Sequence, residues 1–325
     1  MRYRIRSSQL RTQIIVFGSF ALLCCAALLT GRVERTEKKF SMSMLPGEIL
    51  QLASALFDKS SAEVLRNIQV PQEIFSLGHK ILLTQHRGDD SIPRLLTEFS
   101  GDSGRDTYGI HEIRSRTPLI LDVGGNIGFI SILTQRLHPH SQVIVFEPSP
   151  LTYFFLRLNL IINDIHLITS EELQSRPRVP GVYPVFGGLG GREPVEFVSM
   201  SDPDRVKRQS QNGILDLTRK GVIPVYNFRI FLSNHGLSGR VFDLVKLDCE
   251  CCEYGLIPES RDFLRDKSSV LSLTGEIHGC GHVSARAEKE TIQILQERGC
   301  RFPERNFQVS GRFYETANLN DYCPH

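Results

Sequence analysis

The chain lacks the surplus of positive charge with which nucleic-acid-binding proteins hold phosphates. Its 38 lysines and arginines are nearly balanced by 36 aspartates and glutamates, which leaves a formal net charge of +2. It also has no tryptophan, no internal repeat, no low-complexity tract and no basic run interleaved with aromatic residues. Contact with phosphate backbones depends on clustered basic side chains. Nucleic acid is therefore not an expected partner, and the composition is that of an ordinary globular protein.

The N-terminus places positive charge next to an apolar run. Residues 14–30 contain no charged side chain, and they follow four arginines: Arg2, Arg4, Arg6 and Arg11. Seventeen residues are at the short end of the roughly 17–25 needed to cross a bilayer, and the positive-inside rule keeps the arginines in the cytosol. We expect a single-pass type II protein of the Golgi or endoplasmic reticulum membrane. Its expected parts are a cytosolic tail (1–12), a transmembrane signal anchor (13–30), a stem (31–75) and a lumenal domain (76–325, core 115–315).

Two observations leave room for another interpretation of the N-terminus. A short apolar run followed by small residues is also typical of a cleaved signal peptide, with a candidate cleavage site after Ala27. The sequence contains no Asn-x-Ser/Thr glycosylation site, which weakly opposes a lumenal domain. The uncleaved anchor remains the favoured interpretation.

Three of the eight cysteines are clustered, as Cys249, Cys251 and Cys252. Disulfides are compatible with the expected compartment, but spacing does not assign any pairing. A zinc site that combines this cluster with His278, Cys280 and His282 is a weaker alternative, because residues that alternate along a strand face opposite sides. We therefore expect no metal site.

The most informative stretch runs from Leu119 to Ser131, with the sequence LILDVGGNIGFIS. Apolar residues ending at Asp122 predict a buried strand, the glycines after it predict a tight turn, and an apolar pattern to about Leu137 predicts a helix. Such a turn lets a ligand approach the backbone, and the helix N-terminus presents free N–H groups. Gly124 and Gly128 are therefore predicted cofactor contacts.

The spacing of these residues also predicts which ligand binds. Dinucleotide sites have the pattern Gly-x-Gly-x-x-Gly, whereas here Asp122 and Asn126 accompany the glycines. That pair favours a zwitterionic ligand, S-adenosylmethionine, whose amino-acid end needs both donors and acceptors. A second buried strand ends at Glu147, 25 residues after Asp122, where an acid can accept both ribose hydroxyls. NAD sites share such an acid, so Glu147 alone does not discriminate between the two cofactors.

Three motifs in this order resemble the FkbM-type family of S-adenosylmethionine-dependent methyltransferases. They are the glycine turn, the stretch FDLVKLDCECCE at 242–253, which is similar to the family's fourth-strand motif, and GEIH at 275–278, which is similar to its fifth-strand ending. The similarity covers roughly residues 115–278. One position departs from the pattern, because Cys251 stands where a glycine usually follows Glu250. The resemblance implies a hydroxyl oxygen as the methyl acceptor.

Alternating patterns from residue 118 onward predict an α/β fold with a parallel sheet and helices on both faces. Residues 73–116 are expected to form helices and loops. The resemblance implies a Rossmann-like class I methyltransferase sheet that ends in an antiparallel strand. Strands are expected near 118–123, 142–147, 182–186, 242–247 and 270–277, with an extra strand at 193–200 and a final one at 306–315. Helices are expected near 127–137, 150–162, 227–235, 253–265 and 284–298.

Several acids fall at the predicted strand ends, where ligands of such sheets bind. Asp248 and Glu250 are two residues apart, so they share one side if the chain is still extended. Methyl transfer to oxygen usually needs a base for the hydroxyl proton, and Asp248, Glu250 and His278 are the candidates. Glu276 is expected among the cofactor contacts. The structural alternative is that Glu250 caps the following helix.

These observations lead to one favoured function and one alternative. The favoured function is an S-adenosylmethionine-dependent O-methyltransferase of the secretory pathway, acting on a hydroxyl of a glycan, lipid or small molecule. The alternative, prompted by Cys251, is a catalytically inactive methyltransferase fold that binds cargo or a receptor.

Overall fold

The computed structural model describes residues 45–57, 60–99, 106–190, 195–199, 213–220, 223–278, 283–300 and 317–318. The expected anchor at 13–30 and the expected strand at 306–315 lie outside these residues. Among the helices of the described part, none is both long enough and apolar enough to cross a membrane.

A six-stranded sheet forms the centre of the domain, in the order β12-β11-β10-β3-β4-β5. The strands from β11 to β5 are parallel, and β12 pairs antiparallel with β11 at the edge. This is a Rossmann-like α/β arrangement, with the antiparallel edge strand that the family resemblance implied. The strands are β1 Gln72–Ser76, β2 His79–Leu83, β3 Leu119–Val123, β4 Gln142–Glu147, β5 Gly181–Phe186, β6 Gly188–Leu189, β7 Val195–Ser199, β8 Gly213–Lys220, β9 Val225–Tyr226, β10 Phe242–Leu247, β11 Val270–Ile277 and β12 Ala317–Asn318.

Helices cover both faces of the sheet, and each face has its own hydrophobic core. Ile120 of β3 belongs to one core, whereas its neighbours Leu119 and Leu121 belong to the other, because successive side chains of a strand point to opposite faces. All five residues of β3 and all six of β4 are buried, as expected for central strands of a parallel sheet. The helices are α1 Gly47–Phe57, α2 Ser61–Arg66, α3 Ser91–Phe99, α4 Phe129–Leu137, α5 Pro150–Ile162, α6 Ser170–Gln174, α7 Phe228–Asn234, α8 Glu253–Glu259, α9 Arg261–Arg265 and α10 Ala285–Arg298.

The structure confirms the five predicted strands of the parallel sheet but differs from the sequence prediction elsewhere. The helix expected at 253–265 is divided into α8 and α9, with Pro258 inside α8 and Ser260 between the two helices. The extra strand expected at 193–200 is present as β7, and its antiparallel partner β8 was not predicted. The segment expected to hold only helices and loops begins with the β1–β2 hairpin.

Part of the expected stem belongs to the folded domain. Ile49 and Ala53 of α1 are fully buried, and Ile74 of β1 is 5% exposed. All three lie in the core that also contains Phe154 of α5. The sequence shows only weak amphipathic helix patterns in this region, broken at Pro46 and Pro71, which predict a stem rather than a packed part of the domain.

Candidate active site

A cleft lies at the carboxyl ends of the central strands, where the strand order reverses between β3 and β10. Ligands of open α/β sheets bind at such a switch point. The cleft encloses about 170 Å³, which is below the roughly 300–1,000 Å³ of ligand pockets. Seven of the nine predicted site residues line the cleft: Gly124, Asn126, Glu147, Asp248, Glu250, Glu276 and His278.

The glycine turn packs tightly against two neighbouring strand ends. Gly124 has φ +86°, and a Cβ there would lie 1.8 Å from the carbonyl oxygen of Asp248. A Cβ on Gly125 would lie 2.1 Å from a methyl group of Val145. These contacts between the strand ends already require glycine, before any ligand approaches the backbone. Gly128 is the N-cap of helix α4 and is not among the residues that line the cleft.

Glu147 connects the end of β4 to the glycine turn. Its Oε2 accepts a hydrogen bond from the backbone N–H of Asn126 and its Oε1 accepts one from the N–H of Ser149, both at 2.9 Å. Burial raises the pKa of the Glu147 carboxyl to about 8, although these hydrogen bonds lower it. Each carboxylate oxygen has a second lone pair, so Glu147 can still accept a hydrogen bond from a ligand hydroxyl.

Asp122 lies behind the cleft and is fully buried. Its Oδ2 accepts a hydrogen bond from the hydroxyl of Ser131 at 2.9 Å, and its Oδ1 is 3.0 Å from Nζ of Lys246. Lys246 also donates to the carbonyl of Gly124 at 2.9 Å. Asp122 was predicted to contact the cofactor, but in this arrangement it supports the glycine turn through Lys246.

Two carboxylates of the β10 end face the cleft in different environments. Asp248 Oδ2 accepts a hydrogen bond from the Tyr108 hydroxyl at 2.7 Å. Burial raises the pKa of the Glu250 carboxyl above its usual value, while the charge of His278 opposes the shift. Glu250 and Cys251 have φ of +53° and +86°, a left-handed conformation that costs a non-glycine residue about 1–3 kcal/mol. Cys251 thus adopts a conformation that a glycine would adopt without strain.

His278 lies among four carboxylates. Its Nδ1 is 2.8 Å from Oε1 of the fully buried Glu253, and its Nε2 is 3.5–3.8 Å from oxygens of Glu276, Asp248 and Glu250. Burial lowers the pKa of the imidazole, but the contacts with Glu253 and Glu276 and the surrounding charges outweigh burial and raise it to about 11. Both ring nitrogens of His278 therefore face carboxylates, Nδ1 that of Glu253 and Nε2 those of Glu276, Asp248 and Glu250.

The clustered cysteines form disulfides. Cys249 is bonded to Cys252, and Cys251 and Cys300 each take part in a disulfide as well. Oxidised cysteines do not supply thiolates, which removes the cysteine-based zinc site weighed from the sequence. Asp248, Glu276 and His278, by contrast, have ligand atoms within 4.8 Å of one another.

Tyr108 is a site residue that sequence reasoning missed. It lies between the expected stem and the first motif, in a segment with no recognisable pattern, and it is 3% exposed. Its ring also lies beneath Nζ of Lys246, with 5.2 Å between Nζ and the ring centroid. Only the tertiary structure brings it to the strand ends.

No protein-family profile matches the chain. It is 43% identical over 57 residues to methyltransferase sdnD of Sordaria araneosa and 30% identical over 53 residues to methyltransferase 1 of Beauveria bassiana (strain ARSEF 2860). These segments make up 18% and 16% of this chain and span 22% and 21% of the relatives' lengths. The chain is thus similar in sequence to methyltransferases over a short segment.

Two solved structures resemble the chain over more of its length. One is a precorrin-6y C5,15-methyltransferase from Geobacter metallireducens, with 12% identity, a TM-score of 0.31, and coverage of 64% of this chain and 80% of that one. The other is M. jannaschii TYW2 in complex with AdoMet, with 13% identity, a TM-score of 0.28, and coverage of 76% and 83%. The fold assignment rests on the strand order given above.

Proposed function

We propose that this chain is an S-adenosylmethionine-dependent O-methyltransferase of the FkbM type, acting on a hydroxyl of a glycan or lipid in the secretory pathway. The main support for the proposal is that two groups of residues lie together at the same switch point of the sheet. The cofactor group is the glycine turn with Asn126 and Glu147. The acceptor group comprises Asp248 and Glu250, and both groups line one cleft.

The cofactor group suits a nucleoside attached to an amino acid. Glu147 provides the carboxylate that a ribose diol needs, and its bond to the Asn126 N–H fixes it against the glycine turn. The local similarity to two methyltransferases agrees with this cofactor. S-adenosylmethionine supplies a methyl group activated by a sulfonium.

The acceptor group suits proton removal from a hydroxyl. Glu250 takes the hydroxyl proton while the oxygen forms its bond to the methyl carbon and the carbon–sulfur bond breaks toward sulfur. The products are the methyl ether, S-adenosylhomocysteine and protonated Glu250, which returns its proton to water. The raised pKa of Glu250 brings it nearer to the working range of a general base. Asp248, held by Tyr108, is the second candidate for this role.

The proposed compartment rests on cysteine chemistry and on the N-terminal sequence. Disulfides persist in the oxidising secretory pathway and are rare in the cytosol, and the described residues include a Cys249–Cys252 disulfide. The arginines before residues 14–30 orient a signal anchor so that the domain is lumenal. The membrane is then a partner of the N-terminal segment.

The inactive-fold alternative originates in the departure at Cys251. In the structure, however, Cys251 is 6% exposed and is not among the residues lining the cleft, so its side chain does not obstruct a ligand there.

The test is a transfer assay with the full chain, methyl-labelled S-adenosylmethionine and panels of glycans and lipids. We expect label in a base-stable ether on one acceptor class, and Glu73→Gln, in the exposed β1–β2 hairpin, serves as the unaffected control. Cofactor binding without transfer to any acceptor would favour the inactive fold, and label on nitrogen would overturn the choice of hydroxyl.

A further inference from the structure

We propose that Asp248, Glu276 and His278 form a binding site for a divalent transition-metal cation at the β10–β11 side of the cleft. The three side chains come from the ends of two neighbouring strands that pair in parallel. Metal binding at this position does not depend on methyl transfer and can be measured separately.

The spacing of the donor atoms suits one cation. Nε2 of His278 is 3.6 Å from Oδ1 of Asp248 and 3.5 Å from Oε2 of Glu276. Donors about 2.1 Å from a shared zinc-like cation lie roughly 3.0–3.4 Å apart at octahedral or tetrahedral angles. The two separations from His278 therefore need to contract by only a few tenths of an ångström, and all three donor atoms lie within 4.8 Å of one another.

Glu253 provides the second, independent observation. It is fully buried, its Oε1 lies 2.8 Å from Nδ1 of His278, and its Oε2 has no hydrogen-bond partner within the described structure. Nδ1 faces Glu253, and Nε2 is the ring nitrogen that faces Asp248 and Glu276. A carboxylate behind a histidine is the usual way in which proteins orient a metal-binding imidazole.

Asp248 is oriented in a comparable way. The Tyr108 hydroxyl donates to its Oδ2, which leaves Oδ1 toward Nε2 of His278. His278 and Asp248 are thus each oriented by a side chain that is not itself a metal donor, Glu253 and Tyr108 respectively.

The charge of this region also favours a cation. Asp248, Glu250, Glu253 and Glu276 meet His278 within a few ångströms. Nζ of Lys246 lies 3.7 Å from Asp248 but closer to Asp122, at 3.0 Å. The carboxylates therefore exceed the positive side chains at the strand ends, and a divalent ion would restore the balance.

The donor types narrow the choice of metal. Imidazole is typical of zinc and other transition metals, whereas carboxylates also suit manganese and magnesium. One imidazole with two carboxylates favours Mn²⁺ or Zn²⁺ over Mg²⁺. Three protein donors leave coordination positions open, and these suit an oxygen donor of the acceptor. This last point, unlike the metal site itself, rests on the proposed function.

The test measures metal binding by the full chain without cofactor. Chelator-treated protein is titrated with MnCl₂ and, separately, with ZnCl₂, while calorimetry and the EPR signal of free Mn²⁺ report binding. We expect one saturable site, weakened at least about tenfold by Asp248→Asn, Glu276→Gln or His278→Ala, and about 10–100-fold by Glu253→Gln. Asp262→Asn removes an exposed carboxylate on α9 and should leave binding unchanged. Circular dichroism confirms that each variant is folded.

Two results would overturn the site. One is a folded wild-type chain that binds neither ion, and the other is binding that persists in all three ligand variants. A chain that binds S-adenosylhomocysteine but binds neither metal ion would contradict the metal site alone. A chain that binds Mn²⁺ or Zn²⁺ but does not bind S-adenosylhomocysteine would contradict the methyltransferase proposal alone.

Discussion

Lys246 and Asp122 face each other across neighbouring parallel strands, with Nζ 3.0 Å from the carboxylate. Their side chains are 3% and 0% exposed. Because Lys246 also donates to the carbonyl of Gly124, this buried ion pair joins β3, β10 and the glycine turn. The arrangement of the cofactor half of the cleft therefore depends on a buried pair, of which Lys246 lines the cleft and Asp122 lies behind it.

Replacement of Lys246 by methionine should strongly destabilise the protein. The substitution leaves Asp122 as a buried carboxylate without its cation, which typically costs about 3–5 kcal/mol. Urea unfolding measures the loss, and Lys80→Met, in an exposed pair with Glu73, should change stability by no more than about 1 kcal/mol. If Lys246→Met lowered the free energy of unfolding by less than about 1 kcal/mol, the Lys246–Asp122 pair would not hold the strand ends together.

The stability contributed by Glu147 should fall as pH rises. Burial raises its pKa from 4.5 to about 8, so between these values the folded protein holds a proton that the unfolded chain has lost. Stability from this group is therefore present below about pH 4.5 and is lost as pH rises through 8. Unfolding curves of wild type and Glu147→Gln across this range should diverge, with the wild type losing stability faster. Parallel curves would contradict the raised pKa.

Glu250→Gln should separate chemistry from binding. Loss of a positioned general base lowers turnover about 10²–10⁴-fold, whereas cofactor affinity should stay at the wild-type value because Glu250 serves the acceptor side. Steady-state transfer rates and calorimetry with S-adenosylhomocysteine measure the two effects, with Glu73→Gln as control. If Glu250→Gln and Asp248→Asn both kept wild-type turnover, general-base catalysis at this strand end would be wrong. The proton would then leave to water.

The expected topology is testable with the full chain in microsomes. A lumenal domain behind an uncleaved anchor should resist added protease and stay in the membrane after a carbonate wash. Release into the wash at reduced mass would identify a cleaved signal peptide instead. Digestion of the whole domain in sealed vesicles would place it in the cytosol and remove the compartment argument from the disulfides.

The sequence predicted the central sheet well because buried parallel strands are continuous apolar runs. β3 and β4 are examples. Because the ends of such strands can be located in the sequence, the acids at or after them could be identified as site residues. The β1–β2 hairpin was missed, because its burial alternates over only five residues a strand and no turn motif that we recognised marked it.

Side-chain roles were less predictable than side-chain positions. Asp122 and Glu147 both belong to strand ends, but only the register with Lys246 shows that Asp122 is paired behind the cleft. Tyr108 reaches Asp248 across 140 residues of sequence, a contact that local patterns cannot reveal. The metal donor set has the same origin, because Glu253 orients His278 through tertiary packing.

The most direct test of the account is calorimetric titration of S-adenosylhomocysteine into the full chain and its Glu147→Ala variant. We predict one binding site in the wild type and a loss of about 1–3 kcal/mol in the variant, as expected when the hydrogen bonds between a buried carboxyl group and a ribose are removed. Glu73→Ala should bind as the wild type does. No binding by the folded wild-type chain would contradict the methyltransferase proposal, and unchanged affinity in a folded Glu147→Ala variant would contradict the ribose assignment.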